Sequence, residues 1–146
     1  MNNKTVYLTI DDGPTDTTEH FLDVMKKHHS HAAIFVVGEM IKVRENIIRR
    51  IAAEGHSIGV HAYLHEYDIV YQSTKAFWED NLKTRDMIEK ITGKAPKIVC
   101  FPGGSSNTVS SRYCHKIMTD LAEVVYSIIR PEIPFPIVCG IRPSSA

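Results

Sequence analysis

An α/β architecture with parallel strands is the fold class that this 146-residue sequence predicts. Two observations carry it. Short apolar runs rich in β-branched residues alternate along the chain with amphipathic stretches of helical period. Polar motifs also gather directly after three of those runs. In parallel α/β folds the carboxyl ends of the strands share one face, and sites are built there.

Each element has its own justification. "KTVYLTI" (4–10) alternates and is rich in β-branched residues, which predicts a first strand. "TDTTEHFLDVMKKHH" (15–29) follows as a helix, with Phe21, Leu22 and Met25 on one face and Thr15 or Asp16 able to cap it. "AAIFVVG" (32–38) is a continuous apolar run closed by Gly38, the pattern of a strand buried on both faces. "IKVRENIIRRIAAEG" (41–55) places Ile41, Ile47, Ile48, Ile51 and Ala52 at helical spacing, and Gly55 stops it. "HSIGVHAY" (56–63) reads as a third strand, and residues 73–92 as a helix carrying Phe77, Trp78, Leu82, Met87 and Ile91, ended by Gly93. "PKIVCFPGG" (96–104) is a fourth strand and "SSRYCHKIMTDLAEVVY" (110–126) a fourth helix. These are about four β/α units in succession, with no low-complexity linker between them.

Composition excludes several functions. Lys plus Arg and Asp plus Glu number 17 each, so no basic field is present to attract nucleic acid. No segment approaches 18 uninterrupted apolar residues, so a membrane-spanning helix is not expected. The opening "MNNKTVYLTI" lacks the apolar core of a signal peptide, and export is not expected to be encoded here. Cys100, Cys114 and Cys139 are odd in number and lack CxxC spacing, which argues against a disulfide framework or a cysteine zinc site. His28, His29 and His31 fall at a helix end, where cations suit the macrodipole, and not at a strand mouth.

The chemistry lies in "LTIDDGPTD" and "HAYLH". Asp11 and Asp12 are adjacent carboxylates that should repel unless something nearby favours both charges, and a cation is one such group. Gly13-Pro14 turns the chain at once and holds the acids at the strand mouth. His61 and His65 lie four apart, so a turn of helix would bring them onto one face. Ala62 follows the first histidine, so this is not the zincin HExxH. Two imidazoles and one carboxylate leave a tetrahedral ion with one position open to water, the arrangement of a hydrolytic metal site. One acid would then bind the ion while its neighbour takes a proton from water.

These residues resemble the polysaccharide deacetylases with a NodB-homology domain, carbohydrate esterase family 4. "TIDDGP" (9–14) is similar to that family's TFDDGP motif, "HAYLH" (61–65) to its H-[ST]-x-x-H motif, and "CFPGG" (100–104), less closely, to its R-x-P motif. The resemblance runs from about residue 4 to about residue 120. It implies a distorted, open (β/α) barrel, here partial, and a hydrolase that removes N-acetyl groups from amino-sugar polysaccharides such as peptidoglycan or chitin. Carried across by position, it implies Asp11 as general base. Asp12, His61 and His65 would hold a divalent metal, zinc first, with cobalt or nickel also suited to such ligands. Phe101, Pro102 and Gly103 would lie against substrate, with a backbone N–H near Gly103 at the oxyanion. The family often acts at the cell envelope or outside the cell.

The chain also departs from the family's pattern. Cys100 stands where the third motif has an arginine that pairs with the catalytic aspartate, and Ala62 replaces a hydroxyl residue between the two histidines. After Glu123 the sequence runs "VVYSIIRPEIPFPIVCGIRPSSA", with neither an aspartate-tryptophan segment nor the Leu-x-His of the later motifs. The expected organisation is therefore a deacetylase-like part over 1–123 and a divergent tail over 124–146, in a C-terminally shortened barrel. The competing expectation is a non-catalytic domain that binds carbohydrate or metal.

Overall fold

The computed structural model of the chain describes residues 6–104 and 116–117. Its element order is β1 (Thr9–Gly13), α1 (Asp16–Lys27), β2 (Ala33–Val36), α2 (Gly38–Ile41), α3 (Glu45–Ala53), β3 (Ser57–Val60), α4 (Tyr67–Val70) and α5 (Thr74–Thr92). The strands form one parallel sheet in the order β1-β2-β3. The expected α/β class with a parallel sheet is therefore what forms.

Several details differ from the sequence reading. The first strand begins later, because Val6 and Tyr7 are more than four-fifths exposed and the ladder with β2 opens only at Thr9↔Ala33. The acids expected to follow that strand lie within it. The helix expected over 41–55 is two pieces, α2 and α3. Ile41 and Ile47 are both buried, yet six residues of continuous helix would set them about 240° apart. The break between them lets both face the core. The fourth strand reduces, among the described residues, to a parallel bridge between Val60 and Val99 flanked by two backbone hydrogen bonds, Val60 N–H to Ile98 O and Cys100 N–H to Val60 O. Within β1, Thr9 and Ile10 are partly exposed, and Asp11 and Asp12 are exposed. Of the fourth helix, Lys116 and Ile117 are helical and Ile117 is buried, while its remainder and the 124–146 tail lie outside the described residues.

Two apolar clusters hold the sheet and the loops above it. The first joins Leu22 of α1, Ile34 and Val36 of β2, Ile41, Ile47, Ile48 and Ile51 of α2 and α3, Val60 and Ile88. It covers one face of β2, while Phe35 fills the other face over Gly59, where a Cβ would strike its ring. The second cluster packs Ala62, Val70, Tyr71, Phe77, Phe101 and Ile117. Phe101 stacks on Phe77 at 5.2 Å between centroids, which fixes the segment after Cys100 against α5.

α5 shows how local signals define an element. Ser73 Oγ accepts the Ala76 N–H at 3.0 Å, and Gly93 closes the helix in the left-handed conformation at φ 74°. Its buried face is Phe77, Asn81, Thr84 and Ile88, spaced four, three and four apart, whereas Leu82 is half exposed. Two of those four buried residues are polar, so an apolar count selects the wrong stripe.

His56, at the foot of β3, makes stability depend on pH. Its side chain is 2% exposed, and its Nδ1 accepts the Ala32 N–H at 3.2 Å, which requires the neutral ring. Burial, with the neighbouring His31, lowers its pKa below the ordinary 6.5. The folded state thus releases a proton that the unfolded chain retains, so stability is unaffected above the unfolded value and falls as pH drops below it. The thermal midpoint is expected to decline as pH falls from about 6.5, with a shallower decline in His56→Gln. Equal slopes for the two chains would place the pH dependence elsewhere.

Candidate metal centre

The site begins with an irregularity in β1. Ile10 pairs with Ile34 and Gly13 with Val36, so β1 spends three residue steps where β2 spends two. The extra residue is a bulge, and Asp12 adopts φ 62° within it. Regular alternation would send adjacent side chains to opposite faces of the sheet. The bulge instead leaves Asp11 and Asp12 both exposed at the carboxyl end of the strand, on the same side as the histidines.

The histidines arrive on a loop and not on a helical turn, which corrects the sequence expectation. Residues 61–66 form no helix, and Ala62 and His65 adopt φ 67° and φ 60°. Of the four non-glycine residues with positive φ among those described, three belong to this site. Such conformations persist where surrounding contacts over-determine them. Here the contacts are explicit. The Ala62 carbonyl accepts the Gly38 N–H and the Thr84 hydroxyl, each at 3.0 Å, and the Tyr63 carbonyl accepts the Glu39 N–H at 3.0 Å. The Asp80 carboxylate accepts the N–H groups of both Tyr63 and Leu64. Burial raises the Asp80 pKa, opposed by those two N–H groups and by Lys83. Asp80 and Thr84 were not foreseen; the hydroxyl absent from position 62 reaches the loop from α5 instead.

Gly38 is required by this closeness. A Cβ there would collide with the Thr84 hydroxyl and the Tyr63 ring. Gly38→Ala is expected to cost about 1–3 kcal/mol through overpacking, read as a lowered thermal midpoint. An unchanged midpoint would mean the loop yields freely.

The donor atoms converge. Asp12 Oδ1 lies 3.4 Å from His61 Nε2 and 3.3 Å from His65 Nε2. Bonds of about 2.0–2.2 Å at tetrahedral angles would set ligand atoms about 3.3–3.6 Å apart. Both distances match the edge length that such an ion would require, and the chemistry of the donors suits a first-row divalent ion. His61 is 3% exposed, and its Nδ1 lies 3.0 Å from the Cys100 carbonyl. A carbonyl only accepts, so Nδ1 carries a proton, and in the neutral ring this leaves the lone pair on Nε2. Burial lowers the His61 pKa despite the opposing pull of Asp11 and Asp12, which favours the neutral ligating form.

The remaining expected residues surround this centre. Cys100 Sγ lies 3.6 Å from Asp11 Oδ2, at the place where an arginine was expected. Phe101 is buried in the second apolar cluster. Pro102 is buried as well, and its carbonyl accepts the Tyr71 hydroxyl at 2.9 Å. Gly103 is exposed at φ 75° in the turn closed by Gly104 N–H to Phe101 O. Among the described residues no helix is long and apolar enough to cross a membrane.

Comparison with known proteins shows the family to which the chain is similar. The sequence model of the family described as polysaccharide deacetylase matches residues 1–120. A peptidoglycan-N-acetylglucosamine deacetylase of Bacillus cereus is 36% identical over 104 residues, which are 70% of this chain and 38% of that protein. The catalytic domain of peptidoglycan N-acetylglucosamine deacetylase from Eubacterium rectale superposes with a TM-score of 0.73 at 40% identity, covering 84% of this chain and 55% of that one. A mutant of a CE4 family pseudoenzyme with restored enzymatic activity superposes at 0.66 with 28% identity, over 82% of this chain and 43% of that chain. The chain thus spans less than half the length of the curated relatives it matches.

Proposed function

The chain belongs to the polysaccharide deacetylase family, and from that premise we propose that it hydrolyses the N-acetyl amide of an N-acetylated amino-sugar polysaccharide, peptidoglycan before chitin. The observation that carries this reading is the tetrahedral spacing of Asp12, His61 and His65 beside a second carboxylate, Asp11. Family members named for their substrate act on peptidoglycan N-acetylglucosamine or N-acetylmuramic acid, which supports the order of substrates. We assign the deacetylase part to 1–123, consistent with the extent of the family match, and treat 124–146 as a divergent segment.

Asp12, His61 and His65 would hold the divalent ion, zinc before cobalt or nickel given the mixed imidazole and carboxylate donors. When bound, such an ion activates water at neutral pH and polarises the scissile carbonyl. Asp11 takes the proton from the attacking water. The Cys100 carbonyl keeps His61 in the tautomer that presents Nε2. Phe101 and Pro102, buried against Phe77 and Tyr71, hold the turn that brings the Gly103 backbone to the oxyanion.

A second reading, a domain that binds metal or carbohydrate without turnover, is favoured by one observation. A thiol stands beside Asp11 where the family has an arginine, so the base lacks a charge-assisted pair. One assay separates the two: acetate release from N-acetylated peptidoglycan and chitin oligomers by the purified, zinc-loaded chain. Slow release that disappears in Asp11→Ala is the expected result. Zinc binding without any acetate release would establish the non-catalytic reading, and release unaffected by Asp11→Ala would remove Asp11 from the mechanism.

A further inference from the structure

The cysteine beside the base belongs to a second convergent donor set that shares one histidine with the first. Asp11, His61 and Cys100 offer a carboxylate oxygen, an imidazole nitrogen and a thiol sulfur, all within 4.8 Å of one another. Cys100 Sγ to Asp11 Oδ2 is 3.6 Å. For a metal–sulfur bond of about 2.3 Å and a metal–oxygen bond of about 2.0 Å, a tetrahedral S–O edge is about 3.5 Å. Cys100 and His61 are each 3% exposed, so both are held in place by packing, while Asp11 is open to solvent and gives an ion its way in.

We propose that Asp11, His61 and Cys100 form a thiolate-bearing cation site selective for soft divalent ions, distinct from the Asp12, His61 and His65 centre and mutually exclusive with it. Exclusion follows from His61. Its Nδ1 proton is committed to the Cys100 carbonyl, so only Nε2 can ligate, and one lone pair serves one ion. Selectivity follows from the sulfur, since thiolate prefers softer ions than a carboxylate and two imidazoles do. Binding converts the thiol to thiolate and releases its proton to solvent, one per ion. An ion held here would also occupy Asp11, so cadmium should compete with zinc and block the base together. That last consequence rests on the deacetylase reading; the site itself does not.

The test is a cadmium titration followed by the ultraviolet thiolate-to-cadmium charge-transfer band, with one proton released per ion. Cys114→Ser/Cys139→Ser is the parent chain, so that Cys100 is its one thiol. The parent should show the band at one cadmium per chain, and added zinc should diminish it. Cys100→Ser should lose the band completely with its thermal transition preserved. His65→Ala should keep it, because His65 belongs only to the other centre. Absence of the band in the folded parent would overturn the proposal. So would its loss in His65→Ala, which would place the thiolate in a single joint site, or zinc and cadmium binding together. An inactive wild-type chain that shows the band would leave this site standing while removing the deacetylase reading.

Discussion

Replacing His61 with alanine is expected to abolish stoichiometric zinc binding, the largest single effect in the molecule. The residue supplies one of three converging donors and is the most buried of them. Its loss leaves Asp12 and His65, one carboxylate and one imidazole, to hold the ion. Losing only an outer partner of a ligand costs about 10–100-fold in metal affinity, so losing the ligand itself should exceed that range. The substitution also removes the His61 hydrogen bond to the Cys100 carbonyl, worth about 0.5–1.5 kcal/mol. His61→Asn separates the two effects, since its side-chain amide can still donate to that carbonyl but offers no imidazole lone pair. Calorimetric zinc titration of wild type and both variants provides the measurement. Unchanged affinity in His61→Ala would show that the ion, if it binds, sits elsewhere.

The second largest effect is expected at a residue that touches no ion. Asp80 receives the Tyr63 and Leu64 N–H groups, and so fixes the loop between the two histidines. Asp80→Ala would leave both donors without their acceptor and free the His61–His65 spacing. A loss of about 1–3 kcal/mol in stability should accompany a fall of about 10–100-fold in zinc affinity, the range for outer partners. Hydrogen exchange at the Tyr63 and Leu64 amides should quicken in the variant. Faster exchange with unaltered zinc affinity would show that the loop is ordered by the ion and not in advance of it.

Sequence patterns revealed those parts of the molecule whose causes are local. α5 was legible to within a residue, expected over about 73–92 and formed over Thr74–Thr92, because Gly93 marks its end. The β2 run was apolar because it is covered on both faces. Asp11, Asp12, His61 and His65 were visible because the motifs carrying them are contiguous. What escaped depends on partners distant in the chain. Nothing around residue 80 or 84 indicates that these side chains bond backbone groups 17 and 22 positions earlier, so they read as unremarkable helix polars. The break between α2 and α3 arises because Ile41 and Ile47 both find the same core, a tertiary demand that helical periodicity does not contain. The histidine loop likewise keeps its positive φ angles only because α2 and α5 grip its carbonyls and amides.

The bulge in β1 gives the centre a dependence on chain length that no substitution reveals. Two consecutive acids can serve one mouth because the strand is one residue longer than its neighbour between Ile10 and Gly13. A chain of equal acidity without that residue would keep both carboxylates in its composition and lose one from the mouth. The pair is therefore a property of counting as much as of chemistry. Insertions and deletions near residue 11 should weigh more heavily on this molecule than most exchanges of one side chain for another.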